Sequence, residues 1–305
     1  MTNWRVVDII KTSTDFLEKK GVPDARLDAE ILLGNVLKKN RLELYLFFDR
    51  PMGKDEMDLY REHIRRRGTR EPLQHIVGET GFMNLVLKTT SAALIPRQET
   101  EILIEKTLEL NIKPGARILD IGTGSGCIAI ALAQSLKEAK LLGIDVSKEA
   151  LALAKENATL SETQVVFQEI DILTSLPNTE ERFDIVVSNP PYIAPDEKDQ
   201  LQAEVLQFDP EVALFDESDG LSFYRRFAEI LPDLLIPGGH FLFEFGGSPQ
   251  EKPVLNIFME KGFHDLEIIQ DYNGDPRIIL GKYIPWTFWK ETNMKSRIIP
   301  YVFMI

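Results

Sequence analysis

Residues 183–192 read Phe-Asp-Ile-Val-Val-Ser-Asn-Pro-Pro-Tyr, an apolar run that stops at a polar amide, two prolines and an aromatic ring. The prolines fix the backbone and hold the neighbouring carbonyl in one direction. The Asn189 side-chain oxygen and the Pro190 carbonyl then form a pair of acceptors. A planar amide or aryl amine can donate its two N–H groups to that pair, while Tyr192 stacks on the planar group or packs against it. Such a clamp draws electron density onto the nitrogen and aims it at an electrophile. A turn that merely ends a strand is the structural alternative. A polar residue at the carboxyl end of a parallel strand, where α/β sheets bind ligands, argues for chemistry.

A second segment, Ile118-Leu119-Asp120-Ile121-Gly122-Thr123-Gly124-Ser125-Gly126-Cys127-Ile128, runs from an apolar strand through a glycine-rich turn into an apolar helix. Glycines permit the tight turn and let a ligand approach the backbone. The dinucleotide fingerprint G-x-G-x-x-G would need its third glycine at position 127, which is Cys127, so a nicotinamide cofactor fits poorly. G-x-G-x-G led by Asp120 suits a nucleoside without a pyrophosphate, such as S-adenosylmethionine. Asp145, 19 positions beyond Gly126, fits a carboxylate bonded to ribose hydroxyls at the tip of the next strand. Asp120 is expected to orient the cationic amino-acid end of the ligand through water or backbone. Asp171, at the end of the third strand, is placed to reach the adenine amino group, with Ile172 packing on the ring. Simple capping of the following turns is the other reading of Asp145 and Asp171. With this ligand in place, the Asn189 clamp aims its bound nitrogen at the sulfonium methyl. Positioning and preorganised electrostatics then supply most of the catalysis.

These motifs need a sheet to hold them, and the chain supplies one. Strands are expected at Ala116–Ile121, Lys140–Ile144, Val165–Ile170, Phe183–Val187, His240–Phe245, Leu266–Gln270 and Arg277–Leu280. Helices are expected at Ile102–Leu110, Ile128–Leu136, Lys148–Ala158, near Leu221–Leu231 and after Pro249. Alternating strands and helices imply a mostly parallel sheet covered on both faces. Residues 1–80 read differently, as helices. One spans Asn3 to Lys20 and one follows a cap at Asp24. A short apolar segment, Leu42 to Phe48, comes next, and then a helix from Asp55 to Arg67 that stops at Gly68. Residues 81–95 alternate loosely (Phe82, Leu85, Leu87, Leu94) and suggest a hairpin joining the two parts. No phosphate loop or metal-ligand cluster appears in the helical part, and no metal is expected.

Of the 305 residues, 44% are apolar, enough for a proper core. The formal charge of -13 is uneven. Residues 1–80 carry 15 basic and 14 acidic side chains, and the remainder 20 and 34. That acidity disfavours a polyanion on the α/β part. Arg61, Arg65, Arg66, Arg67 and Arg70 form the one basic run, read either as a solvated helix face or as a contact for RNA or an acidic partner surface. A single cysteine, Cys127, cannot form an internal disulfide. With an N-terminus too charged for a signal peptide and no apolar stretch near the ~18–20 residues of a membrane span, a cytoplasmic protein without membrane contact is expected.

Several further segments narrow the reading: Asp28-Ala29-Glu30-Ile31-Leu32-Leu33, Glu71-Pro72-Leu73-Gln74-His75-Ile76-Val77-Gly78-Glu79, Leu94-Ile95-Pro96-Arg97-Gln98-Glu99-Thr100-Glu101, Asp219-Gly220-Leu221-Ser222-Phe223-Tyr224 and Pro237-Gly238-Gly239-His240. Together with the glycine turn and Asn189–Tyr192, they resemble the protein-(glutamine-N5) methyltransferases that modify peptide chain release factors, over nearly the whole chain to about Lys282. The resemblance implies a class I S-adenosylmethionine-dependent methyltransferase-like Rossmann fold, a mostly parallel seven-stranded sheet with a small N-terminal helical domain. It implies a substrate-recognition domain at 1–80, a hairpin linker at 81–95, a methyltransferase domain at 96–282 and a tail at 283–305. By the same resemblance Asn189, Pro190, Pro191 and Tyr192 hold the glutamine amide of a Gly-Gly-Gln motif. Gly122, Thr123, Gly124, Ser125, Gly126, Asp145, Asp171, Ile172 and Asn189 hold the cofactor, and Arg97 lies in the segment that covers the cleft.

The partner is then a release factor, with no direct nucleic acid contact and a monomeric enzyme. The competing readings are an N6-adenine methyltransferase on DNA or RNA and a catalytically silent ribosome- or factor-binding module. Three departures stand out. Gln98 replaces a usual proline, the spacing from Glu244-Phe245-Gly246 to Gln250 is one residue longer than expected, and the tail carries Trp286, Trp289 and apolar Tyr301–Ile305.

Overall fold

The computed structural model describes residues 4–179 and 181–285. The tail features Trp286, Trp289 and Tyr301–Ile305 lie outside the described residues.

The helical part opens with α1 (Val6–Lys19), whose buried Val6, Ile9, Ile10, Ser13 and Leu17 recur at helical spacing on one face. Helix α2 (Ala25–Leu37) is buried on most of its circumference and runs through the middle of the group. Asp24 occupies its N-cap position, but the side chain makes no capping bond, so the expected cap is positional only. The apolar stretch expected at 42–48 is helical as α3 (Arg41–Leu46), fixed by reciprocal bonds between Asn40 and Glu43. Then come α4 (Lys54–Gly68) and a short α5 (Leu73–Val77), which the sequence pattern had not marked. Tyr60 of α4 donates its hydroxyl to the Ala29 carbonyl at 3.1 Å, locking α4 onto α2.

Strands β1 (Glu79–Phe82) and β2 (Leu85–Lys88) form an antiparallel hairpin, two residues earlier and shorter than expected. Leu94 is not part of it. The α/β part then runs α6 (Gln98–Glu109), β3 (Arg117–Ile121), α7 (Cys127–Ser135), β4 (Lys140–Asp145), α8 (Lys148–Leu160), β5 (Val165–Glu169) and β6 (Phe183–Ser188). Gln98 is the first residue of α6, a position proline favours and glutamine also fills. After β6 come a 3₁₀ turn (Pro195–Gln200) and two short helices, α9 (Ala203–Phe208) and α10 (Glu211–Leu214), none of which the sequence pattern marked. The chain ends with α11 (Ser222–Leu234), β7 (Leu235–Glu244), α12 (Ser248–Glu260), β8 (His264–Gln270) and β9 (Pro276–Lys282).

The seven-stranded sheet has the order β5-β4-β3-β6-β7-β9-β8, parallel except for β9, which is antiparallel to both its neighbours. Alternation along the strands sends Leu119, Ile121, Phe241 and Phe243 to one face and Ile118, Ile185, Val187 and Leu242 to the other. On the first face Phe241 stacks on Phe258 of α12 at 4.8 Å and Phe243 meets Phe227 of α11 at 4.6 Å. The second face is covered by α6 and α7. Between β3 and β6 the strand order reverses direction, and a cleft opens at their carboxyl ends.

The arginine run divides into an exposed half, as one sequence reading expected, and a buried half that neither reading captured. Arg61 pairs with Asp58, Arg65 with Glu62 and Arg66 with Glu71. Arg67, 8% exposed at its side chain, lies between Asp28 at 2.6 Å and Glu204 of α9 at 3.2 Å. Arg70 meets the same Glu204 at 2.5 Å. The run is thus split: Arg61 and Arg65 lie on the expected solvated helix face, whereas Arg67 and Arg70 are turned inward onto the chain's own carboxylates. Its last members fasten α4 to the α9–α10 segment that walls the cleft. Removing Glu204 leaves Arg67 with Asp28 alone and Arg70 without a carboxylate, so Glu204→Ala should cost about 3 kcal/mol in a urea titration. Arg61→Ala, which breaks only an exposed pair, should leave the midpoint unmoved. Equal effects of the two substitutions would sink the clamp.

Candidate functional site

The cleft floor is the turn between β3 and α7. Gly122, Gly124 and Gly126 have φ of +68°, +55° and +83°. At Gly126 a side chain is excluded by space as well. An added Cβ would stand 2.9 Å from Ile130 Cδ1 and 3.1 Å from Ala154 Cβ, so α7 and α8 pack directly over the turn. Asn157 of α8, fully buried, donates to the Ser125 carbonyl at 3.0 Å while bonding both backbone groups of Lys88 on β2. Hairpin and turn are therefore tied through one amide side chain. Helical periodicity alone could not have marked it.

Asp145 ends β4 on the cleft wall and accepts from the Gly124 amide at 2.8 Å and the Ser147 amide at 2.9 Å. Burial raises its pKa despite those bonds. Asp171 also lines the cleft, two residues beyond β5, and accepts from Leu173 N and Thr174 Oγ1 at 3.0 Å each. The capping bonds weighed as the alternative for both residues are therefore present, and both carboxylates still border the cleft. Ile172 sits beside Asp171, and Gly122, Thr123, Gly124 and Ser125 lie along the floor. Gly126 is placed behind them.

Asp120 stands back from the cleft, where only a role through water or backbone is open to it. It is fully buried beneath the turn, accepts from Thr123 Oγ1 at 2.6 Å, and has its other oxygen without a partner. It shapes the loop from below and is not among the residues bordering the cleft. Tyr192 stands back too. Asn189, Pro190 and Pro191 border the cleft, whereas the Tyr192 ring is half-buried against the α11–α12 face of the sheet and close to Gly246. Gly220 and Gly246 leave the room for it, since a Cβ on Gly220 would come within 2.5 Å of the Tyr192 carbonyl. Gln250 donates to that carbonyl at 2.7 Å and accepts from Gly246 N at 2.9 Å, so the longer spacing to Gln250 is accommodated. Phe223, Pro210, Val212 and Ala213 supply the apolar wall where Tyr192 was expected.

Two acidic groups that the sequence reading passed over complete the site. Arg97 does border the cleft, and its guanidinium reaches Asp209 at 2.9 Å across the mouth. Burial pushes the Asp209 carboxyl up to about 6 even with Arg97 beside it. Asn189 donates through Nδ2 to Thr100 Oγ1 at 3.1 Å, and Thr100 donates to Glu244 at 2.7 Å. Glu244, 2% exposed at the end of β7, is raised to about 7 by burial, as is Asp120. Thr100 stands in the Arg97–Glu101 segment and Glu244 at a strand end. Their partnership, across 144 positions, has no local signal.

An apolar slot with glycine backbone on its floor and carboxylates at successive strand ends fits a nucleoside ligand, and S-adenosylmethionine is that ligand. Fold and cleft together define an S-adenosylmethionine-dependent methyltransferase of the α/β class.

Comparison with known proteins narrows the class. Residues 8–78 match the PrmC N-terminal domain family and residues 112–254 a methyltransferase domain family. A release factor glutamine methyltransferase of Geobacter sulfurreducens is 40% identical over 279 residues, 92% of this chain and 97% of its own. One of Fusobacterium nucleatum is 38% identical, covering 90% of this chain and 78% of its own. The chain belongs to the release factor glutamine methyltransferase family. Among solved structures, the hMettl16 catalytic domain in complex with MAT2A 3'UTR hairpin 1 superposes with a TM-score of 0.52 at 16% identity, over 76% of this chain and 84% of that one, a likeness of fold alone. No described helix is long and apolar enough to cross a membrane.

Two predictions follow from this geometry. Gly126→Ala combines a left-handed backbone with a steric clash, whereas Gly115→Ala, at φ +76° with nothing within 4 Å, carries the backbone cost only. Both should lose ~1–2 kcal/mol of stability, with a further ~1–3 kcal/mol for Gly126→Ala and weaker S-adenosylmethionine binding by calorimetry. Second, Asp120, Asp209 and Glu244 hold protons more tightly folded than unfolded. Stability from such groups is full below the unfolded carboxyl pKa of about 4 and is lost as pH rises through about 6–7. The melting temperature should therefore fall between about pH 4 and pH 7, with a shallower fall for Glu244→Gln. A rise across that window would contradict the burial of these carboxyls.

Proposed function

We propose that the enzyme transfers the methyl group of S-adenosylmethionine to the side-chain amide nitrogen (N5) of the glutamine in the Gly-Gly-Gln motif of peptide chain release factors, in support of translation termination. The single observation that carries this reading is the end of β6. There Asn189 and Pro190 border the cleft whose floor is the glycine turn. The names of the relatives above support glutamine as the acceptor and a release factor as its bearer.

Gly122, Thr123, Gly124, Ser125 and Gly126 would cradle the cofactor, Asp145 its ribose, and Asp171 with Ile172 its adenine. Arg97 would close the mouth through Asp209. The cofactor supplies an electrophilic sulfonium methyl. Asn189 Oδ1 and the Pro190 carbonyl accept the two N–H groups of the glutamine amide and hold its nitrogen lone pair toward that methyl. Pro191 stiffens the turn. Tyr192 acts from behind, as a packed support for the Pro190–Pro191 backbone, rather than by stacking on the amide. No strong base is required before transfer, because the methylated nitrogen carries a surplus proton that it releases readily. Orientation and a prearranged acceptor pair therefore account for the rate.

Residues 1–80 are proposed to recognise the release factor, 81–95 to link, and 96–282 to catalyse. The Arg67–Glu204–Arg70 clamp supports this division of labour by joining the helical part to the cleft wall.

The test is incubation with labelled S-adenosylmethionine and, separately, a release factor, a free glutamine peptide and nucleic acid. Label should appear on one release-factor glutamine, and label on nucleic acid alone would overturn the reading. Asn189→Ala should abolish transfer while keeping cofactor affinity within about tenfold, ~1.4 kcal/mol. Parallel loss of both would assign Asn189 to the cofactor.

A further inference from the structure

We infer that Thr100 and Glu244 set the direction of the Asn189 side chain, so that its amide oxygen rather than its nitrogen is offered to the substrate. The inference rests on the proposed role of Asn189 as an acceptor, and it identifies what makes that side chain present its accepting end.

A carboxamide has nearly the same shape either way round, so packing alone does not choose which end faces a cleft. The choice falls to the polarity of its fixed partner. Asn189 Nδ2 donates to Thr100 Oγ1 at 3.1 Å, and Thr100 Oγ1 donates to Glu244 Oε2 at 2.7 Å. A hydroxyl has one proton to give, and a carboxylate can only accept. Above about pH 7, where the buried Glu244 is ionised, it accepts the hydrogen bond from the Thr100 hydroxyl and leaves only lone pairs toward Asn189, which must answer with its NH₂ group. A flipped amide would set its oxygen against an oxygen with no proton to give, an unmade bond in a dry place.

The surroundings keep the chain of donors one-way. Thr100 and Glu244 are each 2% exposed, so water does not compete for these positions. The Tyr224 hydroxyl donates to the Glu244 backbone carbonyl at 2.7 Å, which fastens the end of β7 that carries the carboxylate. The charged groups acting on Glu244 are Glu99, which opposes its ionisation, and Arg277, which favours it. The three members come from α6, β6 and β7, which converge at the cleft. Thr100 and Glu244 act through Asn189 and are positioning residues.

The experiment compares wild type with Thr100→Val, which keeps the shape and loses the hydroxyl, and Thr100→Ser, which keeps the hydroxyl. Assays at pH 8 read kcat for transfer to a release factor and, separately, the Kd for S-adenosylmethionine. Thr100→Val should lose roughly tenfold or more in kcat with the Kd unchanged within about threefold, and Thr100→Ser should recover transfer relative to Thr100→Val. Hydrogen exchange of the Asn189 side-chain NH₂ in ¹⁵N-asparagine-labelled protein reads the orientation without any substrate. It should be slow in wild type and Thr100→Ser and fast in Thr100→Val. Wild-type kcat together with unchanged amide exchange in Thr100→Val would overturn the inference, as would Thr100→Ser failing as Thr100→Val does. Should the wild type not methylate glutamine at all, the proposed function falls, while the exchange measurement still decides this inference.

Discussion

Parallel strands can be joined only by crossovers, so each of β3, β4 and β6 delivers its carboxyl end to the same edge of the sheet. That constraint governs everything else in this molecule. It puts the glycine turn, Asp145 and Asn189 on one rim although they are far apart in sequence. It opens a cleft where β3 and β6 lie side by side with their following segments leaving in opposite directions. The phenylalanine cluster under α11 and α12 and the aliphatic layer under α6 and α7 hold the sheet rigid from both faces. The rim is consequently a fixed frame rather than a set of mobile loops.

Around that frame, charges are buried in a pattern that serves position more than net stability. Arg67 and Arg70 converge on Glu204, Arg97 on Asp209, and Thr100 on Glu244. A buried pair of this kind contributes little over well-packed apolar residues, yet breaking it is costly. Such pairs therefore resist displacement, and all three touch elements that border the cleft. Two of them fasten the α9–α10 segment, one to the helical part and one to the start of α6 at the cleft mouth. The overall acidity of the α/β part coexists with this because its excess carboxylates are mostly exposed.

Much of the site was legible in the residues. The glycine turn and Asn189-Pro190-Pro191 are local patterns whose backbone demands can be read in a line, and their expected positions on the cleft match the structure. Strand and helix order was legible for the same reason, since periodicity is a local property. The segment 195–214 was not, because its short helices are held by tertiary contacts such as Glu204 with Arg67 rather than by an apolar repeat. The packing of the Tyr192 ring was not legible, since adjacency to a motif does not say which way a ring points. Gly220 and Gly246, distant in sequence, open the space that draws it inward. Asp120 faces down into the core beneath the turn and bears on the cleft only through Thr123 and the loop.

The sequence by itself determined the α/β class, the glycine turn and the Asn189-Pro190-Pro191 turn at the end of β6, each of which depends on residue type at short spacing. Only the tertiary structure decided that Arg67 and Arg70 bind the chain's own Glu204, that Asn157 ties hairpin to turn, and that Asn189 leans on Thr100 and Glu244. Those outcomes depend on which buried donors and acceptors meet after collapse. An unpaired polar group in a low-dielectric interior is expensive, so long-range pairing is enforced by the folded state and leaves no periodic trace along the chain.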